Sequence, residues 1–171
     1  MSPTTVPRRR SGVKALVTRG EQILLTRERR RDGSIYHSLP GGGVEPGETP
    51  HEALARELSE ELDCAGAIGD QVGSCSYQHR SIDATTEYDL YAVTLDAVPT
   101  PDSSEGIVGV EFHNLATLPE SMLEPLAEAV GQLGAGSASQ GVSWTSTDPV
   151  LSDWRHLDGT PQGRRCVVRR G

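Results

Sequence analysis

Glu57, Glu60 and Glu61 stand at i, i+3 and i+4 in a stretch of good helix formers, a spacing that gathers their side chains on one surface of a helix. Like charges so placed repel, at ~0.2–0.5 kcal/mol per pair in an isolated helix. A divalent cation would remove that penalty, and all-oxygen ligands favour a hard ion: Mg2+, with Mn2+ as a possible substitute. The competing reading is a solvated acidic face on which Arg56 and Glu60 form an i, i+4 ion pair. What precedes the helix tips the balance. Gly41, Gly42, Gly43 and Gly47 form a run that lets the backbone approach a ligand closely.

The helix itself has a well-specified start. Thr49 can cap the first backbone N–H groups, Pro50 suits the first helical position, and Glu52 can complete a capping box. Leu54, Ala55, Leu58 and Leu62 then fall on one side as a core-facing stripe, with small Ala53 among the glutamates.

Loop and helix together read Gly42, five residues, Glu48, seven residues, Arg56-Glu57-Leu58, one residue, Glu60-Glu61, and then Leu62-Asp63-Cys64, all preceded by Leu39-Pro40-Gly41. This pattern resembles the box of the Nudix hydrolase family, including its MutT-like members. It departs at Asp63, where the family has a glycine. A left-handed helix end there would be tolerated by aspartate at some cost.

The resemblance implies an α/β fold, an alpha/beta/alpha sandwich with a mixed β-sheet, and an enzyme cleaving a diphosphate linkage in a nucleoside diphosphate derivative. It makes Glu57 and Glu61 the principal magnesium ligands and Glu60 a further ligand or water contact, with Gly41 or Gly42 offering a backbone carbonyl. Arg56 would orient a glutamate and Glu48 would hold the loop to the helix. The chemistry is consistent, since a bound cation neutralises the diphosphate and activates water. The proton acceptor is left open between a helix glutamate and one from a distant loop. Glu105 is the first distal candidate, with Glu87 and Glu111 behind it. Candidate substrate contacts are Arg27, Tyr36, Gly41 and Gly42, although Tyr36 would serve equally as core. A binding module without turnover and a hydrolase of a non-nucleotide diphosphate are the alternatives. Leu123-Glu124-Pro125 stands where an Asn-Glu-Pro run would resemble the members that act on oxidised guanine nucleotides.

The chain has 171 residues and a net charge of −8. Its arginines concentrate at the two ends and leave an acidic middle, which argues against a nucleic-acid polymer as partner. Cys64, Cys75 and Cys166 have no paired spacing, so neither a disulfide framework nor a zinc site is suggested. With no signal-length apolar run, a cytoplasmic protein without a membrane partner is expected, as a possible homodimer.

The elements that must position the box follow from patterning. Residues 1–11, with Arg8, Arg9 and Arg10, read as a flexible basic arm, and 12–134 as the hydrolase domain. Residues 135–171 read as a Gly/Ser-rich linker and a basic extension carrying Trp144 and Trp154. Gly12–Thr18 and Gln22–Arg27 form a predicted hairpin, and Ile35–Leu39 a short strand. Residues 66–73 read as a loop, followed by strands at Ser74–Gln78, Thr85–Leu95 and Ile107–Phe112. Met122–Leu133 is a second amphipathic helix, presenting Leu123, Leu126, Ala127, Val130 and Leu133 to the core. Arg29, Arg30 and Arg31 read as a solvated loop, and His79 as a surface histidine before a general base or phosphate contact.

Overall fold

The computed structural model describes residues 6, 8–79 and 82–140, with 135–140 by backbone alone. Seven strands and two helices follow in the order β1 (Arg8–Leu16), β2 (Thr18–Arg19), β3 (Gln22–Arg29), β4 (Ile35–Ser38), α1 (Pro50–Leu62), β5 (Gly66–His79), β6 (Ala84–Leu95), β7 (Ile107–Asn114) and α2 (Glu124–Gln140). A short 3-10 helix, Ser103–Glu105, precedes β7.

One sheet has the order β1-β6-β5, with β1 and β6 parallel and β5 and β6 antiparallel. In the other, β3 pairs antiparallel with β2, β4 and β7. Each helix covers one face of this mixed arrangement. Ala53, Leu54, Leu58 and Leu62 of α1 pack with Val13, Ala15, Leu24, Tyr91, Val93 and Ile107. Leu126 and Val130 of α2 pack with Leu16, Ile23, Leu25, Leu39 and Leu90. Both clusters draw on both sheets, so successive residues of β3, Leu24 and Leu25, serve opposite faces. The result is the expected alpha/beta/alpha sandwich.

Several boundaries differ from the sequence reading, each for a physical reason. The chain pairs as β1 from Arg8 onward, so residues 8–11 belong to a strand that β6 fixes in register from Arg8↔Ala84 to Leu16↔Ala92. Strand β5 includes the glycine-containing stretch expected as loop. Register irregularities between Ile68 and Gly73 absorb its departures from regular pairing. On α1 the buried small residue is Ala53, whereas Ala55 is exposed. Helix α2 runs on to Gln140, into the expected linker. Residues 141–171, including both tryptophans, lie outside the described residues.

The start of α1 is as expected: Thr49 accepts from Glu52 N–H, Glu52 reaches back to Thr49 N–H, and Pro50 opens the helix. Its end is left-handed. Asp63 has φ 48° and ψ 40° and is the one non-glycine residue with positive φ among those described, and its N–H donates to Ser59 and Leu58 carbonyls. The missing family glycine therefore leaves a strained position, and Asp63→Gly is expected to raise stability by about 0.5–1 kcal/mol. A thermal melt checks this; a gain of roughly 2–3 °C is the expected reading.

Candidate active site

The chain from Pro40 to Val44 lies antiparallel alongside β1. Ala15 N–H donates to the Pro40 carbonyl (2.8 Å), Val13 N–H to the Gly42 carbonyl (2.9 Å), and Val44 N–H to the Ser11 carbonyl (2.9 Å). The intervening residues address other partners. Gly41 N–H donates to Glu61 Oε2 at 2.9 Å, and the Gly43 carbonyl accepts from Arg56 Nη2 at 2.9 Å. Lys14 Nζ donates to the Gly41 carbonyl at 2.5 Å and to the Leu39 carbonyl at 3.0 Å.

One of these glycines is required by space. Gly41 has φ +123°, and a Cβ there would lie 2.2 Å from the Val13 carbonyl oxygen. A Cβ on Gly42 would fall 2.5–2.9 Å from the carboxylate of Glu57, so that carboxylate would have to move. Bare backbone at Gly42 thus lets the Glu57 carboxylate keep its place against the loop.

Arg56 binds the rest of the loop to α1. Its Nε and Nη2 hold the two oxygens of Glu48 at 2.7 and 3.1 Å, while Nη1 reaches Glu57 (3.0 Å) and Glu60 (3.1 Å). Hydrogen bonds from Arg56 and then the backbone N–H of Glu45 keep the Glu48 carboxyl below its ordinary range. Burial acts the other way on the helix. It raises Glu57, against the hydrogen bond from Arg56. It pushes Glu61 up to about 8, against Lys14 and the Gly41 N–H and with help from Glu28 and Glu57.

Among the described residues the three box carboxylates do not converge tightly enough to enclose an ion by themselves, since Glu60 turns outward toward Arg56 with about half its side chain exposed. A hard cation that keeps several waters and one or two carboxylates suits that spacing. The buried Glu61, acceptor-only when ionised, also suits a cation neighbour.

A cleft of about 770 Å³ opens beside Glu57 and Arg56. Gly43, Val44, Glu45 and Pro46 form one wall, with Tyr88 and Thr86 of β6 and His79 of β5 opposite, and Arg8, Arg9 and Arg10 of β1 complete it. Lys14 Nζ sits 5.3 Å from the Tyr88 ring centroid. Glu28 is held by Thr26 Oγ1 at 2.7 Å and by the Tyr36 hydroxyl, and its charge reaches Glu61 and Tyr88.

The sequence-derived candidates thus separate. Glu57, Glu61, Arg56, Gly41 and Gly42 come together with Glu60 at their rim. Glu105 ends the short 3-10 helix, in a loop anchored to the end of α1 by Thr100 N–H to the Leu62 carbonyl and Asp102 N–H to the Glu61 carbonyl. Tyr36 faces Glu28, with Arg30 stacked on its ring.

Other candidates lie elsewhere. Arg27 projects from the opposite face of β3 and lies along Gly109, which separates it from the box. Glu111 shares that rear face and bonds His37 and His113, so it is removed as a distal candidate. Glu87 is exposed and accepts from Ser76 Oγ. His79, set aside as surface, lines the cleft and bonds Thr86. Sequence reasoning missed Lys14, Glu28, Tyr88 and the three arginines of β1. A lone lysine inside an apolar strand was the one available signal.

The family model described as NUDIX domain matches residues 8–133. The chain belongs to the NUDIX domain family. A NAD-capped RNA hydrolase NudC of Pseudomonas putida (strain GB-1) is 34% identical to this NUDIX chain over 113 residues, which is 66% of the chain and 40% of that protein. The putative ADP-ribose pyrophosphatase YjhB of Bacillus subtilis (strain 168) is 29% identical over 121 residues, 71% of the chain and 55% of that protein. The NUDIX chain therefore spans only about half, or less, of the length of these curated relatives. In fold it is similar to the crystal structure of a MutT protein from Methanosarcina mazei Go1, with TM-score 0.68, 19% identity, and coverage of 77% of this chain and 96% of that one.

The NUDIX loop and helix make Gly42 a clean probe of the site. Gly42→Ala is expected to displace the Glu57 carboxylate and lower magnesium affinity by at least ~10-fold, on the scale of lost support around metal ligands. Isothermal titration with Mg2+ reads the affinity, and a far-UV melt checks that the fold survives.

Proposed function

We propose that this NUDIX chain hydrolyses a diphosphate linkage in a nucleoside diphosphate derivative, such as a nucleoside triphosphate, ADP-ribose or a nucleotide sugar. The observation that carries the reading is Glu61. Its carboxylate is buried to 9% exposure and fixed by Gly41 N–H, one helical turn from Glu57, which lines the open cleft. Burial pushes its carboxyl up to about 8, so without a cation beside it the side chain is held mainly as the neutral acid at pH 7. A divalent cation taken up there would favour the ionised form and use a carboxyl that the fold leaves without a full ionic partner.

Glu57 and Glu61, with Glu60 at the rim, are the proposed holders of Mg2+ or Mn2+; the Gly41 and Gly42 carbonyls are already engaged by Lys14 Nζ and Val13 N–H. When bound, the cation would neutralise the diphosphate and lower the pKa of water. The chain's own groups do the rest. Arg56 orients Glu57 and Glu60 while tying the loop to the helix. Lys14 fixes the carbonyls of Leu39 and Gly41. Glu60 and Glu105 are the candidate proton acceptors, one exposed beside Arg56 and one on the loop docked at the end of α1.

The remainder of the substrate would lie along β1 and β6. Arg8, Arg9 and Arg10 offer charge to further phosphates, and Tyr88 a flat surface for a base or sugar. Two relatives with NAD-capped RNA and ADP-ribose in their names favour a nucleotide. No described helix is long and apolar enough to cross a membrane.

A phosphate-release screen with Mg2+ tests this reading. It covers nucleoside triphosphates, ADP-ribose, nucleotide sugars and an NAD-capped oligoribonucleotide, coupled to a phosphatase where the product is a phosphomonoester. Glu57→Gln or Glu61→Gln is expected to cut kcat by ~100-fold or more with the fold retained. Unimpaired turnover in both variants would sink the assignment, and silence of folded protein across the panel would favour binding without turnover. In the same assay Arg10→Ser is expected to raise KM ~10-fold with little change in kcat, as loss of a ground-state contact does.

A further inference from the structure

Behind the sheet, on the face turned away from the box, a histidine of β4 meets a glutamate and a histidine of β7. His37 of β4 places Nε2 at 2.6 Å from Glu111 Oε1, and His113 of β7 places Nε2 at 2.8 Å from the same oxygen. One ligand atom from each residue lies within 4.8 Å of both others. The rings meet edge to face with centroids 5.2 Å apart. His37 is well covered, and its Nδ1 lies 2.7 Å from Ser121 Oγ, just before α2. The backbone holds the same junction, through His37 N–H to the Ser121 carbonyl and Leu123 N–H to the His37 carbonyl.

We propose that His37, Glu111 and His113 form a second metal site, distinct from the box, that takes zinc or another first-row transition cation. The donor set is two imidazole nitrogens and one carboxylate, which suits a borderline ion and not magnesium. Ser121 supplies what such a ligand needs behind it: with Nδ1–H donating to the hydroxyl, Nε2 of His37 presents its lone pair to the cluster. Tetrahedral zinc at ~2.0–2.2 Å from each ligand sets ligand atoms about 3.3–3.5 Å apart. The two contacts to Glu111 need to open by about 0.5–0.9 Å to reach that geometry. Glu111 is 40% exposed, so a solvent-facing position remains for water as a fourth ligand. Arg27, the strand neighbour of His37, lies along Gly109 on this face, leaving the three ligand atoms to one another. Such an ion would tie β4 to β7 across β3 and brace the start of α2, a structural role separate from turnover.

The test uses the full chain stripped with chelator, titrated with Zn2+ by calorimetry and with Co2+ by visible absorption. Glu57→Gln, which damages only the box, is expected to keep the site, with a tetrahedral Co2+ spectrum free of a thiolate charge-transfer band. His113→Ala, at the rim of the cluster, is expected to weaken Zn2+ binding at least 10-fold and abolish the rise in Tm that Zn2+ gives the parent protein. Glu111→Gln, which keeps the shape of the side chain, serves as the second variant should His113→Ala fold poorly. The proposal is overturned if folded parent protein binds no Zn2+, if both variants bind as the parent does, or if the Co2+ spectrum shows cysteine ligation.

Discussion

The segment from Pro40 to Val44 must satisfy two partners at once, and the site depends on its doing so. Along one edge it hydrogen-bonds β1 through Pro40, Gly42 and Val44. Between those bonds, the polar groups of Gly41 and Gly43 meet Glu61, Lys14 and Arg56. Buried backbone groups left unpaired would cost about 1–3 kcal/mol each, so strand, loop and helix specify one another. Bare backbone is demanded at Gly41 by the Val13 carbonyl, and at Gly42 it leaves the Glu57 carboxylate undisturbed.

Two cations stabilise the carboxylate surface, and they act differently. Arg56 is planar and multidentate, so it holds Glu48 with two nitrogens and still reaches Glu57, Glu60 and the Gly43 carbonyl. Lys14 is a compact charge, 5% exposed, that binds carbonyls and acts on Glu61 only through space. Glu61 therefore keeps a carboxyl pushed up to about 8 by burial, with no ion pair to it among the described residues. The fold leaves this one acid incompletely compensated, at the point where a bound cation would complete it.

How much of this was legible from residue order follows from separation along the chain. The box is local, with helix periodicity, capping chemistry and glycine placement all within one loop and one helix, and the structure assembles it as expected. Ala55 and Ala53 exchanged roles because both lie near the boundary of the buried stripe, where a small rotation of the helix decides. Arg8, Arg9 and Arg10 carry no apolar alternation, and their strand exists because β6 pairs with them from some 75 residues away. The opposite wall of the cleft and the groups behind the box are likewise non-local: His79 and Tyr88 in the wall, and Lys14 and Glu28 near Glu61, come from four strands and carry no shared spacing. Asp63 was readable because a left-handed helix end is set by local backbone geometry.

The cleft brings three of the chain's arginines, Arg8, Arg9 and Arg10 of β1, into the same opening as Glu57 and Arg56 of the box. On the proposed reading a substrate bearing a diphosphate would approach a chain of net charge −8, with Glu57 of the acidic box lining the opening. A cation can offset the box, but it acts over short range in salt, where charges more than ~8–10 Å apart are screened. Arg8, Arg9 and Arg10 supply positive potential further along the same opening, at the strand end that β6 holds in place. The family pattern concerns the diphosphate end, so related chains can share the box while acting on different molecules. On the proposed reading, discrimination would fall to β1 with Tyr88 and His79, cleft residues that no local motif marks.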